Sequence, residues 1–298
     1  MQKSKPNIMS IIKHITLCFL ICCIALKTVG QDKCALFVGI SDYPETSGFG
    51  MINGANDYEI IGEMLDKKGF KTIKLLDAEA TAANIRKELK KIATTSNKGS
   101  CVYIHFSCHG QPFEDKPPYD EDDLWDESLV AYDAKINYQS GVYEGENHIL
   151  DDELFEYFNQ IRRRIGEDGF LCVVIDACHS GTSSRDDIEE NDVIRGTDLG
   201  FSEDGKIFAP RINRQGNFKI EKINGCSDII ILEACRAYQF NKEVSKNGKN
   251  YGALSYYVRE VLEKQDITRS LDWVLQVDEL MKKDHTLTDQ NMVYESSF

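Results

Sequence analysis

Hydrophobic and polar positions follow two rhythms along most of this chain. Short apolar runs at 34–40 (CALFVGI), 72–76, 101–106 (CVYIHF), 170–175 (FLCVVI) and 229–232 are continuous rather than alternating, the pattern of strands buried on both faces. Between them apolar residues recur at helical spacing. Tyr58, Ile61, Met64 and Leu65 predict a helix over 55–68, and further helices are expected over 81–92, from Asp151, over about 251–263 and over 271–281. Strand and helix taking turns predicts an α/β fold: a three-layer sandwich with a mainly parallel central sheet flanked by helices and joined by right-handed crossovers. Such sheets gather their chemistry beyond the carboxyl ends of the strands. Two segments break the rhythm. The stretch 111–127 is acidic and carries Pro112, Pro117 and Pro118, and it reads as a loop. The stretch 182–226 carries Arg185, Arg195, Lys206, Arg211 and Arg214; loops this long inside a compact domain usually serve a function.

The first thirty residues stand apart. Lys3, Lys5 and Lys13 precede an apolar run at 15–26, and small or polar residues follow at Thr28 and Gly30. This is the pattern of a secretory signal peptide, and the run is shorter than the roughly 20 residues that span a bilayer. We therefore expect a leader over 1–30 cleaved after Gly30, one domain over 31–298, and a secreted or envelope (periplasmic) location. A membrane tether arises only if the leader is retained.

Composition narrows the partners. With 298 residues, 42% of them hydrophobic, the chain can bury a large core. Its formal net charge of -14 disfavours nucleic acid, whose phosphates need cations to meet them, and favours basic polypeptides. Of the 10 cysteines, Cys18, Cys22 and Cys23 lie in the leader. The rest are odd in number, show no C-x-x-C pair and sit mostly in apolar runs, so neither a disulfide scaffold nor a zinc site is expected.

Chemistry concentrates at the ends of two predicted strands. One closes in Ser107-Cys108-His109-Gly110, the other in Asp176-Ala177-Cys178-His179-Ser180-Gly181. A thiol and an imidazole carried on neighbouring strand tips suit nucleophilic attack on a carbonyl, with Cys178 as nucleophile and His109 as acid and base. Backbone N–H groups at Gly110 and Cys178 are natural donors to the oxyanion. Asp176 is awkward, because a carboxylate two positions before the nucleophile disfavours the thiolate unless a cation pairs with it. A substrate Arg or Lys is such a cation. Cys108 and His179 read as bystanders. Cys235, in Glu233-Ala234-Cys235-Arg236, echoes the nucleophile string but lacks the following glycine, and reads as a strand end near the substrate pocket.

Taken together, S-x-H-G followed by D-x-C-H-S-G resembles the caspase-type cysteine peptidases, specifically their metacaspase-like, bacterial-type branch. Gly54-Ala55-Asn56-Asp57, Asp126-Glu127-Ser128-Leu129-Val130 with Tyr132-Asp133, Ile149-Leu150-Asp151-Asp152-Glu153-Leu154 and Gly252-Ala253-Leu254-Ser255 extend the resemblance over about 34–263, leaving 182–226 as an insertion and 264–298 as a C-terminal extension. Asp176 departs from the glutamine of animal caspases, and Cys108 stands where a small glycine is common. The resemblance implies a cysteine endopeptidase acting on protein or peptide substrates with Arg or Lys at P1. It implies an S1 pocket lined by Asp57, with Asp176 and Ser107 beside it. Self-processing within 182–226 is expected separately, because that loop offers basic residues next to the active site. No cofactor is needed for the chemistry. Calcium at Asp126, Asp151, Asp152 and Asp186 is a further implication, set against a solvated acidic loop with helix-dipole stabilisation at Asp151 and Asp152. Two other readings are a catalytically weak interaction module on the same fold and an α/β-hydrolase with a cysteine nucleophile. Chain order argues against the latter, since its histidine follows the nucleophile.

Overall fold

The computed structural model describes residues 31–117, 119, 124–178, 192–206, 208 and 217–298. The expected leader, its expected cleavage point and Asp186 lie outside the described residues. Residues 32–298 form one compact unit. Its centre is a seven-stranded sheet built on β1 (Lys33–Gly39), β2 (Lys71–Leu76), β3 (Cys101–Ser107), β7 (Phe170–Asp176) and β9 (Asp228–Glu233), all parallel, in the order β2-β1-β3-β7-β9. The order continues through β12 (Val293–Ser296), antiparallel to β9, and the short β8 (Phe218–Lys219).

Every residue of β3 and β7 is buried, which is why these runs are apolar apart from His105 and the polar tips Ser107 and Asp176. Alternate residues serve opposite faces of the sheet. Leu171, Val173 and Ile175 pack under α2 (Ala82–Thr95) and α3 (Asp151–Ile165), against Ile85, Leu89, Phe158 and Ile161. Phe170, Cys172 and Val174 pack under α1 (Gly54–Lys67), α4 (Ala253–Leu262) and α5 (Asp272–Lys283), against Ile61, Leu65, Val258 and Trp273. Burying each such side chain contributes roughly 1.5–3 kcal/mol, so the two apolar layers fix the strand tips between them. No described helix is long and apolar enough to cross a membrane.

Two expectations need correction. The stretch 111–127 is not all loop: β4 (Gly110–Glu114) and β5 (Trp125–Val130) pair antiparallel, and β6 (His148–Leu150) completes a small second sheet. The acids and prolines suggested a loop, but Phe113, Leu129, Val130 and Ile149 of this small sheet join the same core as Leu171 and Val173, too sparsely to form an unbroken apolar run. The helix expected from Tyr251 begins at Ala253, because the residues before it complete a hairpin of β10 (Glu243–Lys246) and β11 (Lys249–Gly252). Beyond 263, α5 contributes Trp273 and Val277 to the core, and β12 extends the main sheet.

Candidate active site

Strand register brings the two sequence motifs together. Ser107 and Asp176 are paired residues at the carboxyl ends of β3 and β7, so His109 and Cys178 leave adjacent strand tips two residues later. The His109 ring is held on three sides. Its Nε2 lies 2.9 Å from the Gly50 carbonyl and its face stacks on Phe49 at 5.6 Å, with Tyr43 tilted at 5.1 Å. The His109 backbone N–H donates to the Tyr43 hydroxyl at 3.1 Å, and that hydroxyl donates to the Val130 carbonyl. Because the Gly50 carbonyl can only accept, Nε2 carries the proton and Nδ1 presents a lone pair. Nδ1 accepts the Gly196 N–H at 2.9 Å. Burial lowers the His109 pKa to about 4, with the Arg195 charge adding to that and the Gly50 carbonyl opposing it. The ring is therefore neutral at pH 7, as a general base must be.

Cys178 is buried opposite. Its thiol donates to the Gln239 carbonyl at 2.9 Å, and the Cys235 thiol donates to its sulfur at 2.9 Å. Gly196 lies against it. A Cβ added to Gly196 would stand 2.1 Å from the Cys178 carbonyl oxygen and 3.3 Å from the Cys178 Cβ, and Gly196 adopts a φ of 143°. A glycine is thus required for this approach.

Beside the two motifs lies a buried acidic pocket. Asp57 Oδ2 accepts the Ser107 hydroxyl at 2.5 Å, and Asp57 Oδ1 accepts the Gly252 N–H at 3.0 Å. Asp57 therefore does not cap its helix; its carboxylate faces the strand tips. Asp176 is anchored by Asn241 Nδ2 at 2.8 Å and by both the N–H and hydroxyl of Ser255, each at 2.7 Å. Ser255 sits in the first turn of α4, where a carboxylate is favoured. The pocket is filled by Arg195, itself fully buried. One guanidinium nitrogen lies 2.7 Å from Asp57 Oδ2, 2.5 Å from Ser107 Oγ and 3.7 Å from Asp176 Oδ1, while Nε donates to Glu243 Oε1 at 3.0 Å. Burial pushes the Asp57 carboxyl up to about 6 even though Arg195 pulls it down.

The fold and this geometry set the stage for comparison with known proteins. A family model described as "Caspase domain" matches residues 32–297. The chain belongs to the caspase-domain family. Among curated proteins it is similar to Metacaspase-1 of Candida albicans, 25% identical over 280 residues that cover 79% of this chain and 58% of that protein. It is also similar to Metacaspase III c of Phaeodactylum tricornutum, 33% identical over 114 residues, which cover 37% of this chain and 30% of that one. The chain thus spans 58% or less of the length of these relatives. A crystal structure of a Geobacter sulfurreducens protein shares the fold at a TM-score of 0.59 and 17% identity, covering 89% of this chain and 93% of that one.

Within this caspase-domain protein the remaining expected site residues fall as follows. Gly110 opens β4 beside His109 and pairs with Leu129. Asp151 and Asp152 open α3 and line a cavity shared with Glu127, Glu233 and Glu295. Burial and the neighbouring charges of Glu127, Asp126 and Asp152 raise the Asp151 carboxyl to about 8, and its Oδ1 is buried without a hydrogen-bond partner among the described residues. Hard carboxylate oxygens with an orphaned Oδ1 fit calcium chemically, although no three potential ligands among the described residues stand close enough to hold a metal together. Glu243, Ser255 and Gln239 escaped the sequence reading. Glu243 starts a hairpin that no apolar pattern marks, and Arg195 was one of several basic residues in its segment with nothing to single it out.

Proposed function

We propose that this protein is a cysteine endopeptidase that cuts polypeptides after Arg or Lys, using His109 and Cys178. One observation carries the reading: a basic side chain rests among Asp57, Ser107 and Asp176 while the N–H of the next residue meets His109 Nδ1. A substrate seated in this way presents its P1 carbonyl to Cys178. His109 Nδ1 takes the thiol proton, Cys178 Sγ adds to the carbonyl, and backbone N–H groups of Cys178 and Gly110 receive the oxyanion. The same Nδ1 then delivers its proton to the leaving amine, and water hydrolyses the thioester. Desolvated carboxylates reward a cationic P1 residue and repel an acidic one. Calcium, held by the Asp151 and Asp152 carboxylates, would neutralise the acidic cavity and takes no part in bond breaking. The leader-like pattern of lysines and an apolar run within 1–30 supports a secreted or envelope location.

Hydrolysis of fluorogenic peptidyl-Arg, peptidyl-Lys and peptidyl-Asp substrates by the wild type and by Cys178→Ala tests this. Release from the basic substrates alone, and none by the variant, is expected. Preference for Asp, or full activity in Cys178→Ala, would overturn it.

A further inference from the structure

One sulfur in the site takes no part in the chemistry proposed above. The Cys235 thiol donates to Cys178 Sγ at 2.9 Å, and both sulfurs converge on one acceptor: the Gln239 carbonyl oxygen stands 2.9 Å from Cys178 Sγ and 3.5 Å from Cys235 Sγ. The fold builds this approach. β7 and β9 are parallel neighbours, and the Ala234 N–H carries their ladder one step past β9 by donating to the Ile175 carbonyl at 3.1 Å. The Ala234 carbonyl in turn accepts Gln290 Nε2 at 3.1 Å. On the other flank of Cys235, a turn closes from the Gln239 N–H to the Arg236 carbonyl at 2.8 Å. Gln239 Oε1 pins that turn by accepting the Arg236 and Asn291 N–H groups at 3.3 Å and 3.1 Å. Cys235 is thus held from both sides with its sulfur against the nucleophile.

The two thiols are not equivalent. Cys235 is buried, and that burial, the Cys178 sulfur and the carboxylates of Glu233 and Asp176 hold its thiol well above the ordinary range. It therefore stays protonated at neutral pH and is a poor nucleophile toward a peptide or a free oxidant. Its one neighbouring target is Cys178 Sγ, which becomes electrophilic only when oxidised. A sulfenic acid on Cys178 is such a target, since it condenses with a thiol to a disulfide.

We propose that Cys235 is a resolving thiol: when hydrogen peroxide oxidises Cys178, the pair closes as a reversible 178–235 disulfide that silences the nucleophile and shields it from irreversible oxidation. Cys178 Sγ attacks one peroxide oxygen; the S–O bond forms, the O–O bond breaks, and the thiol proton leaves with the second oxygen as water. Cys235 Sγ then bonds to Cys178 Sγ as the S–O bond breaks, and its proton leaves with the hydroxyl as a second water. The sulfurs have to close from 2.9 Å to the bonded length of about 2.05 Å, an approach of less than about 1 Å. A second peroxide has to arrive by diffusion, whereas Cys235 is already in contact, so resolution outruns the step to the sulfinic acid. Thiol–disulfide exchange with a dithiol returns two electrons and two protons and restores both thiols. Loss of peptide cleavage in the oxidised form rests on the peptidase reading above; closure of the disulfide does not.

The purified full chain, reduced and then freed of reductant, is treated with excess hydrogen peroxide, which catalase afterwards removes. One portion is digested without reduction for mass spectrometry, and another is assayed on a peptidyl-Arg substrate before and after dithiothreitol. We expect the wild type to yield a 178–235 cross-linked peptide lighter by two hydrogens, to lose turnover and to regain it with dithiothreitol. Cys235→Ser keeps a hydroxyl donor beside Cys178 but has no sulfur to close the bond. Scored against its own activity before peroxide, it should be inactivated without recovery, its Cys178 peptide gaining the two oxygens of the sulfinic acid. The wild-type cross-link is read by mass alone and stands as a test even where the variant does not fold. No cross-linked peptide in oxidised wild type, full turnover by the cross-linked protein, or equal recovery in Cys235→Ser overturns the inference. Reversible closure of the disulfide in a protein whose reduced form cuts no basic peptide upholds the resolving thiol and overturns the peptidase reading instead.

Discussion

Asp57 and Asp176 meet the same guanidinium nitrogen of Arg195, at 2.7 Å and 3.7 Å, from two elements far apart in the chain. Asp57 comes from α1 and Asp176 from the end of β7, and Ser107 on β3 ties the first of them to the strand tips. Three carboxylates, counting Glu243, therefore surround one cation in a site that excludes water. Such a pocket is incomplete without a positive side chain.

Removing one of those charges should weaken recognition selectively. Asp57→Asn keeps the shape and the acceptor for Gly252 but loses the charge nearest the guanidinium. The expected loss in kcat/KM on a peptidyl-Arg substrate is about 3 kcal/mol, or on the order of 100-fold. Circular dichroism and Tm should show a folded protein. An unchanged kcat/KM would make Asp57 a merely structural residue of α1.

Glu243 should decide between Arg and Lys. Its Oε1 accepts Arg195 Nε at 3.0 Å, and the carboxylate is held by the Asn53 N–H at 2.7 Å and Asn53 Nδ2 at 2.5 Å. A lysine has no donor at that depth of its side chain. We expect Arg substrates to exceed Lys substrates by about tenfold in kcat/KM, the value of one charge-assisted hydrogen bond. Glu243→Gln should bring the ratio close to unity; a ratio that does not move would remove Glu243 from specificity.

The contrast between Glu243 and Asp176 explains what could be read from sequence. The main sheet was legible because continuous burial leaves an unbroken apolar run, and the strand tips were legible because two chemically reactive strings closed such runs. Asp176 could be paired with a cation from charge alone. Glu243, Ser255 and Gly196 could not, since each acts through a contact with a residue distant in the chain and none interrupts a local pattern. The polar hairpins failed for the opposite reason: backbone pairing holds them, and the few residues they send to the core, among them Phe113, Leu129, Val244 and Tyr251, are too sparse to set an apolar period.

Stability should depend on pH through buried histidines. Burial lowers His105 to about 3, His148 to about 3 and His109 to about 4. Below the ordinary histidine value of about 6.5, the unfolded chain binds protons that the fold refuses, so stability is present above that pH and is lost as pH falls toward 4. Asp57 and Asp151, raised to about 6 and about 8, and Glu233 and Glu295, which burial also raises, act with the opposite sign: their contribution is lost as pH rises through the raised values. The raised carboxyls offset the histidines in acid, so the histidine share is read from a variant rather than from the shape of the wild-type curve. His148→Gln can still donate to Gln111 and accept from Tyr143, whose hydroxyl lies 3.0 Å from His148 Nδ1. In thermal unfolding scanned from about pH 4 to about pH 8, its Tm relative to the wild type should rise as pH falls below the ordinary histidine value of about 6.5. A Tm difference that does not change with pH would refute this assignment.

Calcium should stabilise the protein, and more so at higher pH. Asp151 is crowded by Glu127, Asp126 and Asp152, and its Oδ1 has no hydrogen-bond partner among the described residues. With its carboxyl raised to about 8, the group holds a proton at pH 6 that a cation has to displace, whereas at pH 8 half of that competition is gone. A calcium ion accepts irregular carboxylate sets, while magnesium demands near-octahedral geometry and keeps its waters. Calcium at millimolar concentration should therefore raise Tm by a few degrees at pH 8, less at pH 6, and magnesium should do so weakly at either pH. Asp151→Asn removes the like-charge crowding as well as the ligand, so it should raise Tm without calcium and abolish the calcium response. A response that survives in Asp151→Asn would place the ion elsewhere.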